Sequence, residues 1–247
     1  MNIIVLGATS QIGSSIASAF APGNNLILVG RNTSRLRHAA ERCYQGGASR
    51  ITELAIDLRK GCGDILSEVG DSPVDLIINA SSATSRLRDD EIPPDKLADH
   101  VTVDLLAPFE LVKNIVASRN PHPVKVIFVS TVLTLVKSPN RSIYSELKIL
   151  HERCLKSLVA SHNGYLLIVK VGKVIPPDEP TAETGKLAKA VTRSFERRKR
   201  TLFYGMAGRV AVALFYLQPA IFYLAVKARR ILSSVPQAEG SEEHSLS

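Results

Sequence analysis

Six short apolar runs, each followed by a segment with helical spacing, constrain this chain more than any other feature. The runs are Ile3 to Leu6, Leu26 to Val29, Ile51 to Ile56, Leu76 to Asn79, Lys125 to Val129 and Tyr165 to Val171. Helical patterns are expected near Ile12 to Phe20, Ser34 to Cys43, Cys62 to Val69, Lys96 to Ser118 and Ser142 to Ala160. Strands alternating with helices require right-handed crossovers, which make neighbouring strands parallel and put helices on both faces. Nearly continuous apolar character, as in Val74-Asp75-Leu76-Ile77-Ile78, fits strands buried on both sides. The expected fold is therefore α/β: a doubly wound, Rossmann-type parallel sheet. After Val171 come a Pro/Glu/Thr-rich loop, a helix from about Lys186 to Lys199, and a short last strand at Thr201-Leu202-Phe203-Tyr204.

With 247 residues, 45% of them hydrophobic, the chain is long enough for one full α/β core and an appendage. Cys43, Cys62 and Cys154 have no paired spacing, so neither a disulfide framework nor a zinc site is expected, and a reducing compartment fits best. The histidines form no ligand pattern; His38, His100 and His151 are expected on helix surfaces. The first apolar run has no basic leader and is too short for a span, so it reads as a buried strand rather than a signal peptide.

Gly7-Ala8-Thr9-Ser10-Gln11-Ile12-Gly13 leaves the first strand and opens a helix. Glycines there let the backbone approach a pyrophosphate, whose charge meets the helix N-terminus; a strand-to-helix turn also needs glycine for purely structural reasons. The second strand ends Val29-Gly30-Arg31-Asn32. A carboxylate at that end would take the ribose hydroxyls of NAD, whereas an arginine matches the 2′-phosphate of NADP. NADP(H) is therefore expected over NAD(H), with Arg35 and Arg37 either as further cations or as solvated helix charges. The third strand ends Ile56-Asp57-Leu58, placed either to meet the adenine edge or to serve as a bare helix cap.

Tyr144 and Lys148 sit four apart at the start of a helix and leave the same face. An ammonium beside a phenol favours the phenolate, and such a tyrosine can exchange a proton with a carbonyl or alcohol oxygen. The same spacing also occurs on solvated helix faces.

In combination and in this order, the glycine turn, Asp57, Asn79-Ala80-Ser81, a hydroxyl residue after the fifth strand, then Tyr144 and Lys148 resemble the single-domain branch of the short-chain dehydrogenase/reductase family. The resemblance spans roughly Asn2 to Gly205. It implies Tyr144 as the catalytic acid/base, Lys148 as the group that lowers its pKa and holds the nicotinamide ribose, and Thr131 in place of the family's catalytic serine, with Ser130 in reserve. It implies that Asn79, Ala80 and Ser81 line the cofactor and that Gly172 to Val174 place backbone near the carboxamide. The implied chemistry is metal-free hydride transfer at a carbonyl carbon, in the direction of ketone reduction.

Four positions depart from the family pattern. Gln11 stands for the middle glycine of the turn, Ser81 for the glycine of the fourth-strand motif, Val171-Gly172 for Pro-Gly, and Asp104 for the helix asparagine that helps hold a relay water. Asp104 brings a charge that either relays protons or depresses activity. A catalytically weak nucleotide-binding regulator or scaffold of the same fold is the alternative function.

The charge of the chain is +8 and is unevenly placed. Between Lys186 and Arg230 eleven basic residues face one acid, Glu196, a surplus of ten that leaves −2 for the remainder. No charge occurs from Val210 to Val226, at the short limit for a membrane span, and Pro219 favours two half-helices. The expected organisation is a reductase domain over residues 1–205, an apolar and basic helical segment for membrane attachment over 206–235, and a disordered tail over 236–247. A homo-oligomer contact, or a helix pair closing the substrate pocket, is the alternative for the middle segment. A lipid or lipid-linked ketone, such as a polyprenyl-phosphate keto-sugar, is the expected substrate, at the cytoplasmic face of a membrane. Nucleic acid is not an expected partner, since the aromatic residues near the basic cluster form no recognition module.

Overall fold

A computed structural model of the chain describes residues 1–83, 88–117, 122–135, 140–172, 182–205 and residue 210. The predicted apolar segment, the polar tail and Val174 lie outside these residues, apart from Val210. Among the described residues, no helix is long and apolar enough to cross a membrane.

Seven strands form one parallel sheet: β1 (Asn2–Leu6), β2 (Asn25–Gly30), β3 (Arg50–Ala55), β4 (Leu76–Asn79), β5 (Lys125–Thr131), β6 (Tyr165–Val171) and β7 (Thr201–Tyr204). Their order is β3-β2-β1-β4-β5-β6-β7. The winding reverses between β1 and β4, and the crevice beyond the strand ends at such a switch is where doubly wound sheets take ligands.

The helices α1 (Gln11–Ala19), α2 (Thr33–Gln45), α3 (Gly63–Val69), α5 (Ala107–Ala117), α6 (Ser142–Ser161) and α7 (Ala182–Glu196) cover both faces. The period-two alternation of strand side chains sorts the core into two halves. Ile3 and Val5 of β1 pack with Ile16 of α1, Leu36 of α2 and Leu187 of α7. Ile4 and Leu6 pack on the other face with Ile65 of α3, Leu111 of α5 and Leu155 of α6.

The helix expected from Lys96 to Ser118 is divided. A short helix, α4 (Leu97–Val101), runs into a π-helical turn at Thr102–Leu106 before α5. Pro108 accounts for the break: lacking an N–H, it cannot donate to the carbonyl four residues back, which belongs to Asp104. His151 of α6 takes that carbonyl instead, its Nδ1–H donating to Asp104 O at 2.9 Å. His151 is consequently fully buried, not on a helix surface as its place in the sequence implied. His38 is exposed as expected.

The last helix starts and ends earlier than its basic residues suggested. It stops at Glu196, where Arg198 adopts a left-handed conformation (φ 51°) and the Lys199 amide bonds back to Ser194 O at 2.9 Å. That turn delivers β7 to the sheet edge beside β6.

Candidate active site

The first turn is built for close approach. Gly7 has φ 74°, and a Cβ there would sit 2.7 Å from the Ala80 carbonyl carbon; one on Gly13 would sit 2.2 Å from Gly7 O. The side chain of Ser10 caps α1, accepting from Gly13 N–H at 3.0 Å. Thr9, Ser10 and Ile12 thus lie around a helix N-terminus, whose amides favour an anion. Gln11, the first residue of α1, needs no positive φ. Its amide nitrogen and oxygen are both buried and have no hydrogen-bond partner among the described residues.

A cleft of about 530 Å³ runs over the ends of the first four strands and is lined by Gly7, Thr9, Ser10, Gly30, Arg31, Asp57, Leu58, Ala80 and Ser81, among others. An adjoining recess is bounded by Thr9, Arg31, Asn32, Arg35, Asp57 and Arg59. The glycine cradle, the orphaned Gln11 amide and the arginine-lined recess match the pyrophosphate and ribose ends of a nicotinamide dinucleotide.

Asp57 and Ser81 of that wall are engaged locally. The Asp57 carboxylate caps the 3-10 turn Leu58–Lys60 and accepts from the Arg59 guanidinium at 2.8 and 2.5 Å. That hydrogen bond foremost holds the Asp57 carboxyl below the usual carboxylate range. Asn79, at the end of β4, is buried and folds back so that its Oδ1 accepts from the Ser81 amide (3.0 Å) and hydroxyl (2.7 Å). The Ser81 hydroxyl is thereby a donor within the turn, a use that glycine lacks.

At the far side of Ser81 stand the residues of α6. Lys148 is buried, and its Nζ donates to Ser81 O at 3.2 Å while lying 5.9 Å from the Tyr144 ring centre and 4.9 Å from that of Phe128. Thr131, the last residue of β5, has its hydroxyl against the Tyr144 phenol. Tyr144, Lys148, Thr131 and Asp104 therefore converge, and Ser81 ties them to the cleft. Gly172, beyond β6, bonds through its amide to Tyr204 O at 3.3 Å.

The electrostatics differ from the expectation that Lys148 acidifies the phenol. Burial foremost, and then Asp104, push the Tyr144 phenol above its ordinary range; Arg141 and the Thr131 hydrogen bond oppose them. Asp104, fully buried in the π turn, accepts from Ala83 N–H at 3.1 Å. Burial lowers the pKa of Lys148, opposed by Asp104 and Glu152. Burial and then the Lys148 charge push His151 down to about 4, so its ring is neutral at neutral pH.

A second buried group lies behind the first, which the sequence reading missed. Glu152, one turn beyond Lys148, accepts from Lys170 Nζ at 2.6 and 2.9 Å and from Ser130 Oγ at 2.5 Å. Lys170 also donates to Thr134 Oγ1, whose hydroxyl donates to Thr131 O at 2.8 Å. Ser130 is thus committed to Glu152, leaving Thr131 as the hydroxyl beside the phenol. A lysine in the apolar strand Leu166–Val171, and a glutamate four residues after Lys148, were the available signals.

The model of short chain dehydrogenases matches residues 1–190. The chain belongs to the short chain dehydrogenase family. Membership makes it an NAD(P)-dependent oxidoreductase. It is similar to a protein of Xenopus laevis, dehydrogenase/reductase SDR family member 7B, at 25% identity over 92% of this chain and 81% of that one. Among solved structures it resembles a short-chain dehydrogenase of Sphingobium yanoikuyae in complex with NADPH (TM-score 0.68, 19% identity, 99% of each chain). It also resembles the bulky-bulky ketone specific alcohol dehydrogenase of Comamonas testosteroni (TM-score 0.68, 19% identity, 98% of this chain and 97% of that one).

Proposed function

We propose that this dehydrogenase reduces a ketone to a secondary alcohol with NADPH, Tyr144 giving the proton. The observation that carries the reading is the half-buried Tyr144 beside the buried Thr131 and Lys148, joined through Ser81 to the wall of the dinucleotide cleft. When bound, the reduced nicotinamide supplies the hydride to the carbonyl carbon. Tyr144 passes its phenolic proton to the carbonyl oxygen, and the Thr131 hydroxyl stabilises charge developing on that oxygen. Lys148 is placed to hold the ribose beside them. Asn79, Ala80 and Ser81 hold the nicotinamide end, with backbone at Gly172.

Arg31 and Arg35, on the recess next to Thr9, support NADPH over NADH, because guanidinium groups match a 2′-phosphate. The Sphingobium yanoikuyae protein was solved with NADPH. Arg31→Ala is expected to weaken NADPH binding about tenfold or more, from the loss of a charge-assisted hydrogen bond. NADH binding should change little; titrating both coenzymes against the variant checks this.

The substrate reading is a lipid or lipid-linked ketone taken at the cytoplasmic face of a membrane. Its support is the charge-free run from Val210 to Val226, flanked by Arg197-Arg198-Lys199-Arg200 and by Lys227, Arg229 and Arg230. Basic groups near anionic lipid contribute about 1 kcal/mol each. Removing residues 206–247 should move the protein from the membrane fraction to the soluble one. Unchanged fractionation would favour a homo-oligomer contact.

The whole reading is tested by following NADPH oxidation with a panel of ketones, from short and soluble to lipid-linked. Cofactor binding without turnover of any ketone would replace the reductase by a nucleotide-binding regulator of the same fold.

A further inference from the structure

Resting on the reading of Thr131 as the hydroxyl that meets the reacting oxygen, we propose that Lys170, Glu152 and Thr134 are positioning residues. Together they shape the end of β5 so that Thr131, and not its neighbour Ser130, offers a proton to the carbonyl.

An ion pair this deep is a poor choice for stability alone. Glu152 and Lys170 are 5% and 6% exposed, and an apolar pair of similar volume often serves a core as well or better. What the charges add is direction. An ammonium can only donate hydrogen bonds, and a carboxylate can only accept them. Lys170 lies opposite Ser130 across the β5–β6 ladder, and its Nζ donates to both Glu152 oxygens, at 2.6 and 2.9 Å. The Ser130 hydroxyl beside it gives its proton to the same carboxylate at 2.5 Å.

The same lysine fixes the turn that follows β5. Its ammonium also donates to Thr134 Oγ1. Accepting there, the Thr134 hydroxyl passes its own proton to Thr131 O at 2.8 Å. That bond closes the 3-10 turn Val132–Thr134, and the turn holds the Leu133 N–H against Thr131 Oγ1 at 3.2 Å. With its oxygen taking the amide hydrogen, Thr131 keeps its own proton for the Tyr144 phenol and, when a ketone is bound, for the carbonyl oxygen. Two adjacent hydroxyls therefore end β5 with opposite fates. The ion pair consumes one and aims the other. Lys170, Glu152 and Thr134 all act through Thr131.

The test is a double-mutant cycle on the full chain, read by steady-state ketone reduction with NADPH. Thr134→Val keeps the shape and the ion pair but removes both hydroxyl bonds; Thr134→Ser keeps the hydroxyl. Thr134→Val, and the paired replacement Glu152→Leu with Lys170→Met, should lower kcat by about 10- to 100-fold, as a small misplacement of a catalytic group does. KM and NADPH binding should move little, and Thr134→Ser should keep the wild-type rate. In a Thr131→Val background the same changes should cost little further, because groups acting through one residue are not additive. Hydrogen exchange of the Leu133 amide reads the turn without turnover, and should quicken about tenfold in the same two variants. The proposal is overturned if Thr134→Val keeps the wild-type kcat, or if its loss persists in full in the Thr131→Val background. A wild type that reduces no ketone is a separate result, the failure of the reductase reading. Exchange then decides, and unchanged Leu133 protection in Thr134→Val overturns the positioning role.

Discussion

Tyr144→Phe is expected to lower kcat for ketone reduction by roughly 10²–10⁴-fold, the usual contribution of a positioned proton donor. The ring still fills its half-buried site, so neither packing nor the Lys148 to Ser81 contact is removed. NADPH binding should therefore persist, and KM for the ketone should move little, because the lost interaction belongs to the transition state. Thr131 remains in place to polarise the carbonyl, which accounts for any residual rate. Steady-state rates with a saturating ketone, paired with a direct NADPH titration, separate the two effects. A variant that binds NADPH and keeps wild-type kcat would remove Tyr144 from the chemistry.

The second large effect concerns stability. Truncating either Glu152 or Lys170 to alanine is expected to cost about 3–5 kcal/mol, because the partner is left as a buried charge without compensation. The two side chains are only 7% and 8% exposed, so water cannot replace the missing partner. Replacing both together, Glu152→Leu with Lys170→Met, should recover most of that loss. Recovery stops short because the buried Ser130 hydroxyl loses its acceptor, at about 1–3 kcal/mol for an unsatisfied buried group. Urea unfolding midpoints of the three variants measure this directly. Equal loss in the single and double variants would mean that the pair itself, rather than the orphaned charge, supplies the stability.

Much of the fold was legible because strand burial leaves a direct imprint on sequence. The runs through β1, β2, β4, β5 and β6 are apolar on both faces, so they stand out even without alternation. The four-residue strand β7 was also visible, since Leu202 and Phe203 interrupt a strongly charged stretch. The division of the long helix before β5 was not. Hydrophobic spacing continues across Val103, Leu106 and Leu111, and periodicity is blind to a single missing donor. Pro108 was the mark to read, four residues after Asp104, where it frees a carbonyl.

The candidate site was legible to a similar depth. The glycine turn, Arg31 and the Tyr144 and Lys148 pair were read from spacing and order, Ser81 and Thr131 from the family resemblance, and the fold brings them to one region. The sign of the electrostatics was not found. Proximity of Lys148 argued for an acidic phenol, but the outcome depends on depth and on Asp104, and neither is visible from a four-residue interval. Glu152 and Lys170 escaped notice because their partnership spans a helix and a strand. Each looked like an isolated charge until the sheet placed them 2.6 Å apart.

The missing amide hydrogen of Pro108 has a mechanical consequence. Because the imidazole of α6 is docked on the carbonyl it releases, the helical layer before β5 and the helix carrying Tyr144 are geared together. That bond resists a slide of one past the other.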